Sequence, residues 1–191
     1  MRMTCLAVGL SLAWASTAHA ADADRNQLDT GAVLVTTAPF AGSDVPQITM
    51  RAVVDAAPDR VWSIIDHCGR YKDTMPRIKD SQELSRKGTT VRCKVTVNSP
   101  WPIKALVAVT ASQHIVVPGK SWVRAWQFES GDYKSNVGSW TLTAFEGNPK
   151  RTLIVYQDHS EPTIWVPDWL LNYAIKKGLP SLVEKLRADV K

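Results

Sequence analysis

Between residues 47 and 160, hydrophobic and polar positions alternate in one short run after another. In 47–55, Ile48, Met50, Ala52 and Val54 alternate with Thr49, Arg51 and Val53, the period of two that turns successive side chains to opposite faces of a strand. Further runs of strand character occupy 78–86, 90–98, 103–117, 121–129, 138–146 and 151–160. The separators are Lys87-Gly88, Pro100-Trp101-Pro102, Pro118-Gly119, Gly131-Asp132 and Gly147-Asn148-Pro149, all turn chemistry. Turns this short favour antiparallel pairing of successive strands. Upstream, a short strand is expected over 32–37 and a turn at Gly42-Ser43-Asp44, with the polar stretch 22–29 as a mobile leader.

Three segments depart from this pattern. Pro58 opens a short helix carrying Val61, Trp62, Ile64 and Ile65, and a second helical turn over 69–74 precedes Met75-Pro76. Over 166–191 the period changes to that of a helix. Leu171, Ala174, Ile175, Leu182, Val183, Leu186 and Val190 form an apolar stripe, while Pro167 and Asp168 suit its first turn. At about 1.5 Å per residue this helix exceeds 30 Å, enough to cross a small sheet. Gly178, followed by Pro180, has two readings: a break between two helices, or a weak point at which one helix hinges. The order of elements is that of an α+β domain, an antiparallel sheet with one face covered by the last helix.

Composition narrows the setting. Arg2, the apolar run 6–13 and Ala18-His19-Ala20 have the form of a secretory signal peptide, so residues 1–20 are expected to be removed and the protein to be periplasmic or secreted. What remains is about 170 residues, one domain with a sizeable core, expected to be a monomer. The formal charge of +5 comes from scattered basic residues. That is a solvated surface with weak attraction for anionic headgroups at most, and not a nucleic-acid site. Cys68 and Cys93 are either a disulfide, which an oxidising compartment permits, or buried free thiols.

Candidate chemistry is sparse. His67, Cys68 and Cys93 do not have zinc-site spacing, and no metal or cofactor is expected. Asp158-His159-Ser160 cannot form a relay, because neighbours on a strand point to opposite faces. Arg92, Lys94, Arg124, Glu129, Tyr156, Gln157 and Asp158 are the strand polar groups that are candidates to face inward; parity around Tyr156 is ambiguous, since Leu153 and Val155 compete with Ile154 and Tyr156 for the core. Inward polar groups would orient a ligand or act as an acid/base pair.

Several local signatures occur in a fixed order. They are Val54-Asp55-Ala56-Ala57-Pro58-Asp59-Arg60-Val61-Trp62, then Asp66, Tyr71 and Met75-Pro76, then Pro100-Trp101-Pro102. Gly138-Ser139-Trp140, Thr152 and Tyr156, Val166-Pro167-Asp168-Trp169-Leu170 and Gly178-Leu179-Pro180 follow. In this order they resemble the START/polyketide-cyclase (SRPBCC, helix-grip) superfamily, bacterial START-like lipid-binding domains in particular. The resemblance spans 47–187. It implies a curved antiparallel sheet gripping the last helix around a hydrophobic cavity, and a lipid or other apolar small molecule as partner. One departure is Ile103-Lys104-Ala105-Leu106, where many START domains carry Arg-Asp, so the ligand's identity does not transfer.

With such a cavity, the expected wall residues are Val95, Val97, Val107, Val109, Trp126, Trp140, Leu142 and Tyr156 from the sheet. Trp169, Leu170, Tyr173, Ala174 and Leu182 are the candidates from the helix. Trp62 is expected in the core; Trp165 and Trp169 flank the start of the final helix, where simple packing is the leading reading and a tunnel mouth or transient membrane contact the alternative. The leading functional expectation is binding or transfer of a lipid, with a cyclase/aromatase-type enzyme as the alternative; no catalytic residue is assigned.

Overall fold

Strands β1 (Leu34–Phe40) and β2 (Ser43–Val54) form a hairpin turned by Gly42, whose φ of 79° suits glycine. After the helices α2 (Pro58–Ile65) and α3 (Tyr71–Thr74), separated by a 3-10 turn at Cys68–Arg70, six strands follow as a continuous meander. These are β3 (Ile78–Lys87), β4 (Thr90–Val97), β5 (Leu106–Val117), β6 (Ser121–Gly131), β7 (Tyr133–Phe145) and β8 (Asn148–Pro162). β2 pairs antiparallel with β8, giving one open sheet in the order β1-β2-β8-β7-β6-β5-β4-β3. Register shifts in four of the ladders bend the sheet into a curve. The computed structural model describes residues 22–99, 101–165 and 167–190. The expected signal peptide lies outside the described residues, as do Pro100, Val166 and Lys191.

The concave face is closed by two helices at one end. Val61 and Ile65 of α2 and Val183 and Leu186 of the last helix are fully buried against Met50, Val54, Leu142 and Ile154 of the sheet. Trp62 is half-buried against this core and meets His114 edge-on, as expected of a core indole. Thr152 Oγ1 donates to Ala56 O at 2.6 Å, tying β8 to the entry of α2. Arg187 donates from Nε and Nη2 to Val53 O (3.1 and 2.8 Å) and from Nη2 to Gly31 O (3.0 Å), fastening the helix end to the edge of the sheet.

The last helix runs as α4 (Asp168–Tyr173), a π-helical turn (Ala174–Gly178) and α5 (Leu179–Asp189). Gly178 is therefore not a break: its φ and ψ of −64° and −51° are helical. Pro180 lacks an N–H and crowds the carbonyl four residues back. The chain absorbs this by widening one turn, in which Leu179 N–H donates to Ala174 O five residues earlier.

The 22–29 segment is helical (α1), which corrects the expectation of a mobile leader. Leu28 is buried with Val53 and Phe145 on the outer face of the sheet, while Arg51 pairs with Asp24 and Arg151 with Asp29. Gly31 ends the helix in the left-handed region, with its N–H donating to Leu28 O and Ala32 N–H to Gln27 O.

Of the two readings for the cysteines, the structure has the disulfide: Cys68 and Cys93 are bonded, with Cα atoms 6.2 Å apart. It joins the 3-10 turn to β4 beneath α3, and both residues are fully buried. A crosslink spanning 25 residues is expected to contribute roughly 3 kcal/mol by restricting the unfolded chain. Urea denaturation of the Cys68→Ser/Cys93→Ser variant should show a loss of that size with the folded spectrum retained.

Candidate functional site

Where α5 meets the sheet the interior is filled by side chains; under the π turn it is not. A cavity of about 370 Å³ lies there, roofed by Gly178 and Leu182. Val95 and Val97 of β4, Ala108 and Thr110 of β5, and Ile78 and Met75 line one side. Trp126, Trp140 and Tyr156, from β6, β7 and β8, line the other. Their rings pack as a continuous wall, with Trp140 and Tyr156 centroids 4.5 Å apart and Trp126 and Tyr156 5.9 Å apart. Trp126 Nε1 donates to Asn136 Oδ1 at 2.8 Å, so the indole's polar atom is satisfied within the wall. The Trp126 ring lies against Gly138, where a Cβ would come within 2.4 Å of it. Gly138 is the space into which this ring fits.

Six of the residues expected in the wall are there: Val95, Val97, Trp126, Trp140, Tyr156 and Leu182. Val107 and Val109 are not, because the register of β5 turns Leu106, Ala108, Thr110, Ser112 and His114 inward and the two valines to the outer face. Leu142 points to the concave side but sits in the filled core with Val61 and Ile65. On the helix, Leu170 and Ala174 are half-buried outside the cavity wall, and Trp169 is exposed. Tyr173 also lies outside the wall, yet its hydroxyl accepts from Arg77 Nη1 at 2.9 Å, and that guanidinium stacks on its ring. Arg77 lines the cavity and donates to Asn98 O as well, so it bridges the end of β4 to α4 at the cavity's rim. Trp101 and Trp165 are exposed, 91% and 81%.

β8 parity is settled: Tyr156, Asp158 and Ser160 face the cavity. Of the other strand polar groups, Arg124 faces inward, whereas Arg92 and Glu129 form an exposed ion pair at 2.6 Å and Lys94 is exposed. Sequence reasoning missed Tyr71, Met75, Thr110, Tyr133, Asn136 and Ser160 as wall residues. The signal available for Tyr133 and Asn136 was weak, because polar Lys134-Ser135-Asn136 conceals the first turn of β7.

The polar groups fall into two sets. On one side, burial pushes the Asp158 carboxyl up to about 6, although the hydroxyls of Ser160 and Tyr156 favour its ionised form; Ser160 Oγ donates to Asp158 Oδ1 at 3.1 Å. Burial and the neighbouring Asp158 raise the Tyr156 phenol well above its ordinary value, and burial raises Tyr133 too. On the other side, Tyr71 OH donates to Ile65 O at 2.5 Å and accepts from Arg124. Behind them, His114 Nδ1 lies 2.8 Å from Asp66 Oδ1, and Arg86 bonds the same carboxylate at 2.8 Å. Burial works to raise Asp66, but Arg86, His114 and His67 together hold it below its usual value. Among the described residues no group of three or more His, Cys, Asp or Glu is arranged to hold a metal ion.

An eight-stranded curved sheet gripping a terminal helix around a cavity defines the helix-grip class. The profile of the family described as polyketide cyclase / dehydrase and lipid transport matches residues 54–187. The chain belongs to that family, within the START/polyketide-cyclase superfamily. A STAR-related lipid transfer protein from Xanthomonas axonopodis shares the fold at 18% identity, over 83% of this chain and 93% of that one, with a TM-score of 0.71. Human StAR-related lipid transfer protein 5 does so at 13% identity, over 93% and 95%, with a TM-score of 0.72. The Zhui aromatase/cyclase from Streptomyces sp. R1128 is similar at 15% identity, over 75% and 90%, with a TM-score of 0.54. No curated protein matches the sequence significantly.

The raised Asp158 has a stability consequence. Its folded-state value, about 6, lies above the ordinary carboxyl value of about 3.9, so the native state favours the protonated acid. That contribution is complete below about pH 3.9 and is lost as pH rises through about 6. Asp158→Asn, which cannot ionise, should therefore raise Tm relative to the unaltered protein at pH 7.5 and show little gain at pH 3.5. Thermal melts at the two pH values check this, and an equal gap at both would contradict it.

Proposed function

We propose that this is an exported lipid-binding protein that carries one apolar molecule in the cavity between sheet and terminal helix. The observation that carries this reading is the unfilled 370 Å³ space walled by Trp126, Trp140 and Tyr156 in a molecule whose other concave surface is tightly filled. A space of this size lined by aromatic rings is favourable for an apolar occupant. Removing on the order of 300 Å² of ligand surface from water contributes roughly 7 kcal/mol at about 25 cal/mol per Å², before the ordering costs of association. Export is supported by the signal-like 1–20 segment and by the Cys68–Cys93 disulfide, which suits an oxidising compartment. Exposed Trp101, Trp165 and Trp169 suit transient contact with a membrane surface during exchange. Among the described residues no helix is long and apolar enough to cross a membrane.

A second reading has one observation in its favour. Asp158, with a value near 6 inside the cavity and Tyr156 beside it, is poised for proton transfer near neutral pH. A cyclase/aromatase-type enzyme would use it on a ligand held against the same wall.

Mass spectrometry of organic extracts from protein purified out of its native host tests the first reading. A stoichiometric apolar molecule that also raises Tm is expected; an empty protein stabilised by no lipid would end it. Conversion of an extracted ligand or polyketone mimic, lost in Asp158→Asn, would decide for the enzyme. The rim contact makes a further prediction. Removing the Arg77–Tyr173 bridge by Tyr173→Ala should raise the ligand dissociation rate by roughly threefold to tenfold, about 1 kcal/mol for a hydrogen bond and cation–π contact at an exposed site. Stopped-flow transfer to acceptor vesicles reads that rate.

A further inference from the structure

We infer that Arg124 anchors the anionic head group, carboxylate or phosphate, of a single-chain amphiphile, an inference that rests on the lipid-binding reading above. Arg124 is 4% exposed and lines the cavity. A guanidinium remains charged in a protein, and a buried charge ordinarily has an opposite charge beside it. Arg124 has none: among the described residues no carboxylate lies within ion-pair distance of it. Its partners are the neutral Tyr71 hydroxyl, Cys93 Sγ at 3.5 Å and the ring faces of Tyr71 and Trp126. Sulfur is a weak acceptor, and Nε has no partner at all.

Neither acid of the interior supplies the missing charge. Asp66 is committed to Arg86 and His114. Asp158 lies on β8, two strands away and two residues further along: Arg124 is in register with Trp140 and Tyr156, and Asp158 with Gly138 and Trp126, which puts the two backbones roughly 12 Å apart at about 4.8 Å per strand and 3.4 Å per residue. The ladder instead surrounds Arg124 with further unsatisfied groups. His114 stands directly opposite it on β5, and Ser112 is opposite Trp126. Both are buried, and His114 Nε2 and Ser112 Oγ have no partner. Arg124 Nε and Ser112 Oγ are thus orphaned donors on neighbouring inward positions, beside an unpaired cation that opens onto a cavity, and they suit an acceptor group that carries negative charge; His114, whose Nδ1–H faces Asp66, keeps Nε2 as an acceptor and is not counted with them.

The cavity sets the rest of the molecule. Its 370 Å³ holds roughly a dozen groups of about 30 Å³, the share of one water. That matches one chain of about a dozen carbons, laid on the indoles of Trp126 and Trp140.

Isothermal titration of the purified protein with dodecanoate, dodecyl phosphate, dodecanol and dodecyltrimethylammonium keeps the chain constant and varies the head. One anion, or both, should bind at least about tenfold tighter than dodecanol, equivalent to about 1.4 kcal/mol. The ammonium probe should be the weakest, and the tighter anion assigns the head group. Arg124→Gln should shrink the ratio between that anion and dodecanol to within about threefold. Should this variant fail to fold, the ranking in the unaltered protein still decides. Dodecanol binding as tightly as both anions, or a ratio unchanged in a folded Arg124→Gln, overturns the inference and leaves the lipid-binding reading standing. If none of the four binds, both fall.

Discussion

Everything else in this molecule depends on where the terminal helix is fastened. Leu179, Val183 and Leu186 fill the concave face against β2 and α2, and Arg187 bonds the carbonyls of Val53 and Gly31. The buried apolar packing is confined to α5, and α4 is held only at the rim, through Tyr173 and Arg77. The helix therefore leans over the remaining sheet as a beam fixed at one end, and residues of α4 are no more than half-buried. A helix packed evenly along its length would have drawn the sheet closed and left no interior volume.

The wall keeps that volume by being stiff. Trp126, Trp140 and Tyr156 support one another through ring contacts, Trp126 is locked by Asn136, and Gly138 yields the space its indole needs. Aromatic rings have few rotamers, so a wall of this kind resists collapse into the empty space better than leucines would. The polar groups stand at its margins. Asp158 is held among hydroxyls on one side and Arg124 beside Tyr71 on the other, so an occupant meets a greasy middle and two chemically different ends.

The element order was legible in the sequence because turn chemistry and periodicity agreed along nearly the whole chain, whereas the cavity between sheet and helix was implied by the family resemblance and not by the pattern itself. What the sequence obscured was strand parity, and the physical reason is the same at each failure. On β8, Leu153 and Val155 rivalled Ile154 and Tyr156 because both faces of this strand are covered: Leu153 packs with Leu28, Val53 and Phe145 under α1. On β5, Val107 and Val109 are more apolar than Ala108 and Thr110, yet the smaller and more polar pair faces in. A strand that lines an empty space has no packing demand for bulk, so hydrophobicity there is a poor guide to direction. Polar 22–29 concealed a helix because much of what holds it is distant in sequence: Arg51 and Arg151 on the sheet, and the packing of one buried leucine.

The π turn has a consequence for the helix that carries it. Counting back from Leu179 by ordinary helical steps of three and seven would bring Lys176 and Asn172 to the inner side. The one additional residue in the turn rotates everything before it by about 100°. Ala174, Ile175, Leu170 and Leu171 are the half-buried positions instead, and Lys176, Lys177 and Asn172 are left in water. A single stretch of sequence thus behaves as two rods in different phase, one keyed to the sheet and the other turned to overhang a void.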